Sequence, residues 1–175
     1  GLHYMRCFLD RDGVLNKDYG YVGTLDRFAW IDHIFSVLRA LKLRGYTFVL
    51  VTNQSGIGRG YFSYNDFFSL SFYIINYLYA NYSIDLEINY CPHLPTDDCQ
   101  CRKPLPGMIL RYNIGFNDVI IGDKASDMES GLSAQVPHRW LVSTNPTGPY
   151  TRSFSDMKSL SLAIDNGEAF LPMDS

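Results

Sequence analysis

The sequence lacks any surplus of positive charge. Fifteen Lys and Arg stand against 18 Asp and Glu, a formal net charge of −3. That argues against a general nucleic-acid binder, which carries a basic face or stripe. Cysteine is scarce, with four in 175 residues, and no secretory pattern is read at the start of the chain. A disulfide framework is therefore not expected. Clustered thiols in a reducing compartment are more often metal ligands, which makes the cytoplasm the expected location. Internal repeats and low-complexity linkers are absent. So is a Walker A loop, because the one glycine-rich stretch is followed by no Gly-Lys-Ser/Thr. The stretch 67–84 lacks charge altogether, yet it contains Ser69, Ser71, Asn76, Asn81 and Ser83. Its apolar residues Phe67, Leu70, Ile74 and Leu78 recur at helical spacing, which favours a buried helix over a membrane span.

What is present is enough for a full core. Hydrophobic residues make up 46% of the chain, and a fold of this size buries roughly 70% of its unfolded surface. A single domain over 1–175 is expected, with a loosely held tail after Asp165. Short apolar runs alternate with helical patterns. Strands are expected at 5–9, 46–52, 86–90, 118–122 and 139–143. Helices are expected near 34–45, across 67–84 (capped by Ser63 or Asn65), after Pro106-Gly107 in "MILRYN", at 126–135 and at 157–164. Repeated β-α units predict a three-layer α/β/α, Rossmann-like parallel sheet with helices on both faces.

Such sheets bind ligands at the carboxyl ends of their strands. Polar residues stand at those ends here. "FLDRDGVLN" sets Asp10 and Asp12 two apart, on one side of an extended chain with Arg11 opposite, and Gly13 permits a sharp turn. Two such carboxylates can share Mg²⁺ or divide the work of nucleophile and proton carrier; they can equally be an acidic surface turn. "VTNQSGIGRG" offers Thr52 and backbone N–H groups to phosphate oxygens, or is an ordinary glycine-rich turn. Asp123 follows a strand and can complete a cation site. Asp127, four residues on, fits a first-turn helix acid at least as well as a metal ligand. Lys103 can meet the charge of a transferring phosphoryl group, or be a plain surface lysine.

Taken together these stretches resemble the haloacid dehalogenase superfamily of phosphatases. Its four motifs match "DRDGVLN", Thr52, Lys103 and "GDKASD". Within it, "LDRDGVLN", "DYGYV", "VTNQSGIGRG", "CPH", "CxCRKPLPGM" and "GDKASDM" resemble, in order, the D,D-heptose 1,7-bisphosphate phosphatase group. The resemblance implies that Asp10 is the nucleophile and Asp12 the general acid and base. It implies that Mg²⁺ is held by Asp10, the Asp12 carbonyl and Asp123, and that Thr52 and Lys103 hold the phosphoryl group. It places substrate against Asp18, Tyr19, Gly20, Tyr21, Thr52, Asn53, Gln54, Ser55, Arg102, Lys103 and Lys124, with Arg102 on the phosphate that is not cleaved. It maps zinc ligands onto Cys91, His93, Cys99 and Cys101. A Cys₃His set closes tetrahedral zinc without an open position, so that zinc is structural and ties the loop 91–101.

The implied activity is removal of the C7 phosphate of a heptose 1,7-bisphosphate for surface-sugar synthesis. The expected partner is a small phosphorylated sugar, with no nucleic acid and no membrane, bound by a monomer without a large cap domain. Three rival functions remain: a histidinol-phosphate phosphatase, a polynucleotide 3′-phosphatase, and a zinc-binding module without catalysis.

Overall fold

The computed structural model describes residues 5–172; residues 1–4 and the last three of the expected loose tail, 173–175, lie outside them. Six strands form one parallel sheet in the order β3-β2-β1-β4-β5-β6. They are β1 (Met5–Leu9), β2 (Tyr46–Asn53), β3 (Leu86–Cys91), β4 (Val119–Gly122), β5 (His138–Val142) and β6 (Arg152–Phe154). The helices are α1 (Ile34–Leu43), α2 (Ser55–Gly58), α3 (Tyr64–Tyr82), α4 (Ala125–Ser133) and α5 (Met157–Asp165).

Side-chain alternation along the strands divides the core in two. Cys7, Leu9, Phe48 and Leu50 pack into one cluster with Ile34, Leu38, Leu70, Ile74 and Leu160 from α1, α3 and α5. Phe8, Val49 and Val51 point into the other, with Met108, Ile109 and Met128. The helices thus cover both faces, and the three-layer architecture follows from residues that are apolar at both parities of the central strands. No helix among the described residues is long and apolar enough to cross a membrane. The uncharged stretch 67–84 lies mostly in α3, which buries Phe67, Leu70, Ile74 and Leu78. Ser63 caps it, accepting from Asp66 N while Asp66 accepts from Ser63 N.

Three expectations are corrected. "MILRYN" is not a helix but a run of turns closed by bonds such as Ile109 N to Pro106 O (2.9 Å) and Tyr112 N to Ile109 O (3.0 Å). Its adjacent Met108 and Ile109 are both buried in the second core cluster. A sixth strand, β6, was not expected. The tail after Asp165 is not loose over 166–171. A 3-10 turn (Glu168–Phe170) buries Ala169 and sets Phe170 edge-on against Trp140 at 5.1 Å.

Strand β1 pairs with β2 on one side and β4 on the other. This is where the order of connection reverses, so a crevice opens at the carboxyl ends of β1 and β4. Asp10 and Asp123 follow directly on these two strands.

Candidate active site

Asp10, Asp123 and Asp127 each bring a carboxylate oxygen within 4.8 Å of the others. Asp10 is anchored by its backbone N–H to Ile121 O and by its Oδ1, which accepts from Arg11 N at 2.7 Å. Asp127 takes the helix-start role considered for it and adds an ion pair. Its Oδ2 accepts from the N–H groups of Asp123 and Lys124 at the start of α4, both at 3.1 Å, and its Oδ1 takes a 2.6 Å bond from Lys103 Nζ.

Burial raises the Asp10 pKa to about 6, against the pull of Lys103 and with help from Asp127 and Asp12. Burial, then Asp10 and Asp127, raise that of Asp123 to about 7. Asp123 Oδ1 is moreover buried with no hydrogen-bond partner. Crowded, desolvated carboxylates with an orphaned oxygen fit a hard-to-dehydrate divalent cation such as Mg²⁺, which takes oxygen ligands. Gly13 keeps the space open: at φ +88° a Cβ there would stand 2.1 Å from Asp123 Oδ2.

The carboxylate of Asp12 is not in this group. It is held by Asn16 Nδ2 at 2.9 Å, by Gln54 Nε2 at 2.9 Å and by the guanidinium of Arg11 at 3.0 Å. Arg11 was expected to point away. It lies beyond the end of β1, is fully buried, and turns back to reach Asp12 and the carbonyl of Val22. Asn16 went unnoticed in the sequence; only its place four residues after Asp12 hinted at it.

Lys103 is not a surface lysine. It is 4% exposed, and its ammonium donates to Asp127 (2.6 Å) and Val51 O (2.9 Å) and pairs with Asp10 Oδ2 at 3.2 Å. Burial opposes its charge, but Asp10 and Asp127 outweigh burial and push its pKa up. The side-chain amide of Asn53 bonds its backbone at both ends, accepting from Lys103 N at 3.0 Å and donating to Lys103 O at 3.2 Å.

These groups open onto a cavity of about 550 Å³. Its wall includes Asp10, Asp12, Asp18, Gly20, Tyr21, Asn53, Gln54, Ser55, Arg102, Lys103 and Lys124. Two expected substrate contacts are not on the wall: Tyr19 is exposed to solvent outside it, and Thr52 is fully buried beneath it, accepting a 3.0 Å bond from Gln54 Nε2.

Behind the cavity, Cys91, His93, Cys99 and Cys101 also converge within 4.8 Å. His93 Nδ1 lies 3.4 Å from Cys91 Sγ and 3.3 Å from Cys101 Sγ, and Cys91 Sγ is 3.7 Å from Cys99 Sγ. Tetrahedral zinc needs S···S edges of about 3.8 Å and S···N edges of about 3.5 Å. The observed edges fit such an ion. The loop closes through Gly107 N to Gln100 O (3.0 Å), and a Cβ on Gly107 would stand 2.3 Å from that oxygen.

A protein from Haemophilus influenzae named D-glycero-beta-D-manno-heptose-1,7-bisphosphate 7-phosphatase is 44% identical over 149 residues, 78% of this chain and 80% of its own. The chain belongs to the heptose-1,7-bisphosphate 7-phosphatase family. A second relative in this family, from Campylobacter jejuni, is named for the alpha anomer and is 40% identical over 160 residues, 87% of this chain and 91% of its own. The crystal structure of the heptose 1,7-bisphosphate phosphatase from B. bronchiseptica, complexed with magnesium and phosphate, superposes with a TM-score of 0.78 at 30% identity. It covers 93% of this chain and 99% of its own. No family model matches the sequence. The fold is that of haloacid dehalogenase-like phosphatases in this 7-phosphatase family; the carboxylate group suits the magnesium that the B. bronchiseptica structure contains, and the Cys/His cluster is one that could hold zinc.

Proposed function

We propose that the chain is a Mg²⁺-dependent phosphatase that removes the C7 phosphate of D-glycero-D-manno-heptose 1,7-bisphosphate. The product would serve nucleotide-activated heptose synthesis for lipopolysaccharide core or other surface sugars. The observation that carries this reading is the cluster of Asp10, Asp123, Asp127 and Lys103, of which Asp10, Asp127 and Lys103 line a cavity sized for a small ligand, in a chain whose relatives bear that name.

In this reading Asp10 Oδ attacks the C7 phosphorus, the P–O bond to the sugar breaks, and Asp12 donates a proton to the leaving oxygen. Asp12, now a carboxylate, takes a proton from water. That water attacks the aspartyl-phosphate and releases inorganic phosphate, restoring Asp10. Lys103 stands 3.2 Å from the nucleophile, placed to meet charge on the transferring oxygens. Mg²⁺, held by Asp10, Asp123 and the Asp12 carbonyl, supplies electrostatic stabilisation of the same oxygens when bound. Asn16 and Gln54 orient Asp12. Thr52 is assigned a supporting part through Gln54 rather than direct contact, in keeping with its burial. Arg102 and Lys124, on the cavity wall, are assigned to the phosphate that stays, for which an arginine fork is suited. The zinc clip holds the loop that carries Arg102. The whole chain is read as one catalytic domain acting as a cytoplasmic monomer, without nucleic-acid or membrane partners.

Phosphate release from both heptose bisphosphate anomers, histidinol phosphate and a 3′-phosphorylated oligonucleotide tests the assignment. Fastest turnover of a heptose bisphosphate is expected, lost in a folded Asp10→Asn variant. Preference for histidinol phosphate or the oligonucleotide would reject the substrate. Full activity of Asp10→Asn would reject the nucleophile.

A further inference from the structure

The loop 18–21 contributes to the cavity wall, lies in no helix or strand, and runs through two residues with positive φ, Gly20 (+80°) and Tyr21 (+48°). That conformation is disfavoured for tyrosine. In extended chain, successive carbonyls point to opposite sides; two left-handed residues in a row bring them round to one side. The carbonyls of Tyr19, Gly20 and Tyr21 thereby converge, and convergent carbonyl dipoles need a cation or donor cluster to stand together.

Arg27 supplies it. Its NH2 donates to Tyr19 O at 2.8 Å, and its NH1 to Gly20 O at 3.0 Å and Tyr21 O at 3.3 Å. The next carbonyl, of Val22, accepts from Arg11, whose guanidinium also grips Asp12. Four carbonyls in sequence are therefore held by two guanidinium groups, one of which reaches the proposed acid-base residue. On the opposite side of the loop, Asp18 Oδ1 accepts from Gly20 N at 3.0 Å and Asp18 Oδ2 lies 3.8 Å from Lys124 Nζ. The Tyr21 ring is held separately, edge-on to Tyr61 at 4.9 Å and beneath Arg59 at 5.6 Å.

We propose that Arg27 is a positioning residue for substrate: its fork sets the left-handed turn that presents Asp18, Gly20 and Tyr21 to the non-reacting part of the sugar phosphate. The assignment rests on the proposed function, since it takes that wall to be the substrate wall. Arginine is required because a planar fork spans several acceptors at once, whereas lysine is a point charge. Arg27 touches neither the carboxylate group nor Lys103, so binding and not chemistry carries its effect.

Arg27→Ala and Arg27→Lys are compared with the wild type by steady-state kinetics on heptose bisphosphate and on p-nitrophenyl phosphate, and by hydrogen exchange of the amides in 18–22. For Arg27→Ala, faster exchange in that segment is expected, with KM for the bisphosphate up about tenfold, kcat within about twofold and p-nitrophenyl phosphate turnover unaffected. Arg27→Lys is expected to recover only part of the KM. Melting temperatures close to the wild type establish that the exposed substitution leaves the fold intact. Unchanged KM, or raised KM without faster exchange, overturns the proposal, as does full recovery by Arg27→Lys. A wild type inert on both heptose bisphosphates instead sinks the proposed function and the substrate half of this one, while the exchange measurement still decides whether Arg27 shapes the loop.

Discussion

Asn53 holds Lys103 by its main chain, not its charge: one amide side chain closes two hydrogen bonds on the lysine's own N–H and carbonyl, 50 residues further along the sequence. The end of β2 thereby fixes where the ammonium can stand. Replacing Asn53 by Ala leaves the ammonium its three acceptors but frees its backbone. We expect kcat/KM to fall about 10²-fold, the scale of a roughly 1 Å misplacement at a reacting centre, with folding retained. Kinetics near those of the wild type would show that the ion pairs with Asp10 and Asp127 suffice.

Gly13 should tolerate no side chain. Alanine there meets both a left-handed backbone and the Asp123 carboxylate. The strain alone costs about 1–2 kcal/mol, and the displaced Asp123 should raise the Mg²⁺ concentration needed for half-maximal activity. A Mg²⁺ titration with a thermal melt checks both; an unshifted titration would mean that Asp123 is not a ligand.

Loss of zinc should act on binding before chemistry. Lys103 keeps Asn53, Asp10, Asp127 and Val51 as anchors, whereas the one side-chain hydrogen bond of Arg102 among the described residues is a 3.4 Å contact with His93 O inside the zinc loop. In protein shown metal-free at this site by elemental analysis, or in Cys99→Ser, KM should rise with a smaller change in kcat. Unchanged KM would separate the clip from the substrate wall.

Off the cavity wall, Ser63→Ala removes the side-chain half of the reciprocal cap of α3. The expected loss is about 1 kcal/mol, about 2–4 °C in melting temperature for a chain this size, with kinetics unchanged. A melt indistinguishable from the wild type would place the helix's stability wholly in its buried face.

Local pattern was enough to find what depends on neighbours in sequence. Five of the six strands, the apolar stripe of α3 with its cap narrowed to Ser63 or Asn65, and the carboxylates after β1 and β4 were legible that way. Contacts between distant residues were not. Nothing around Lys103 marks it as buried, because Asp10 and Asp127 lie 93 and 24 positions away and meet it only once β1, β2 and β4 align. The same holds for Asn53 and Arg27, whose work is done on the backbone of other segments. Strand β6 is three residues long and carries no alternation to read. "MILRYN" looked helical, but its apolar side chains answer to the closure of the Cys/His loop at Gly107. The tail was expected loose because its contacts are with residues far back in the sequence, Trp140 against Phe170 and Arg152 on Glu168 O.

The two ion sites differ in chemical softness. The carboxylate group offers oxygens, the other three sulfurs and a nitrogen, although the loop from Cys91 to Lys103 joins them within a dozen residues. Oxygen donors select ions such as magnesium and manganese; thiolates select zinc, copper(I) and heavier thiophilic ions. Metals therefore sort themselves between the sites without a barrier. Cadmium should enter the thiolate clip and leave the oxygen site to magnesium, whereas manganese should substitute in the oxygen site alone, so that each centre can be replaced spectroscopically while the other keeps its native ion.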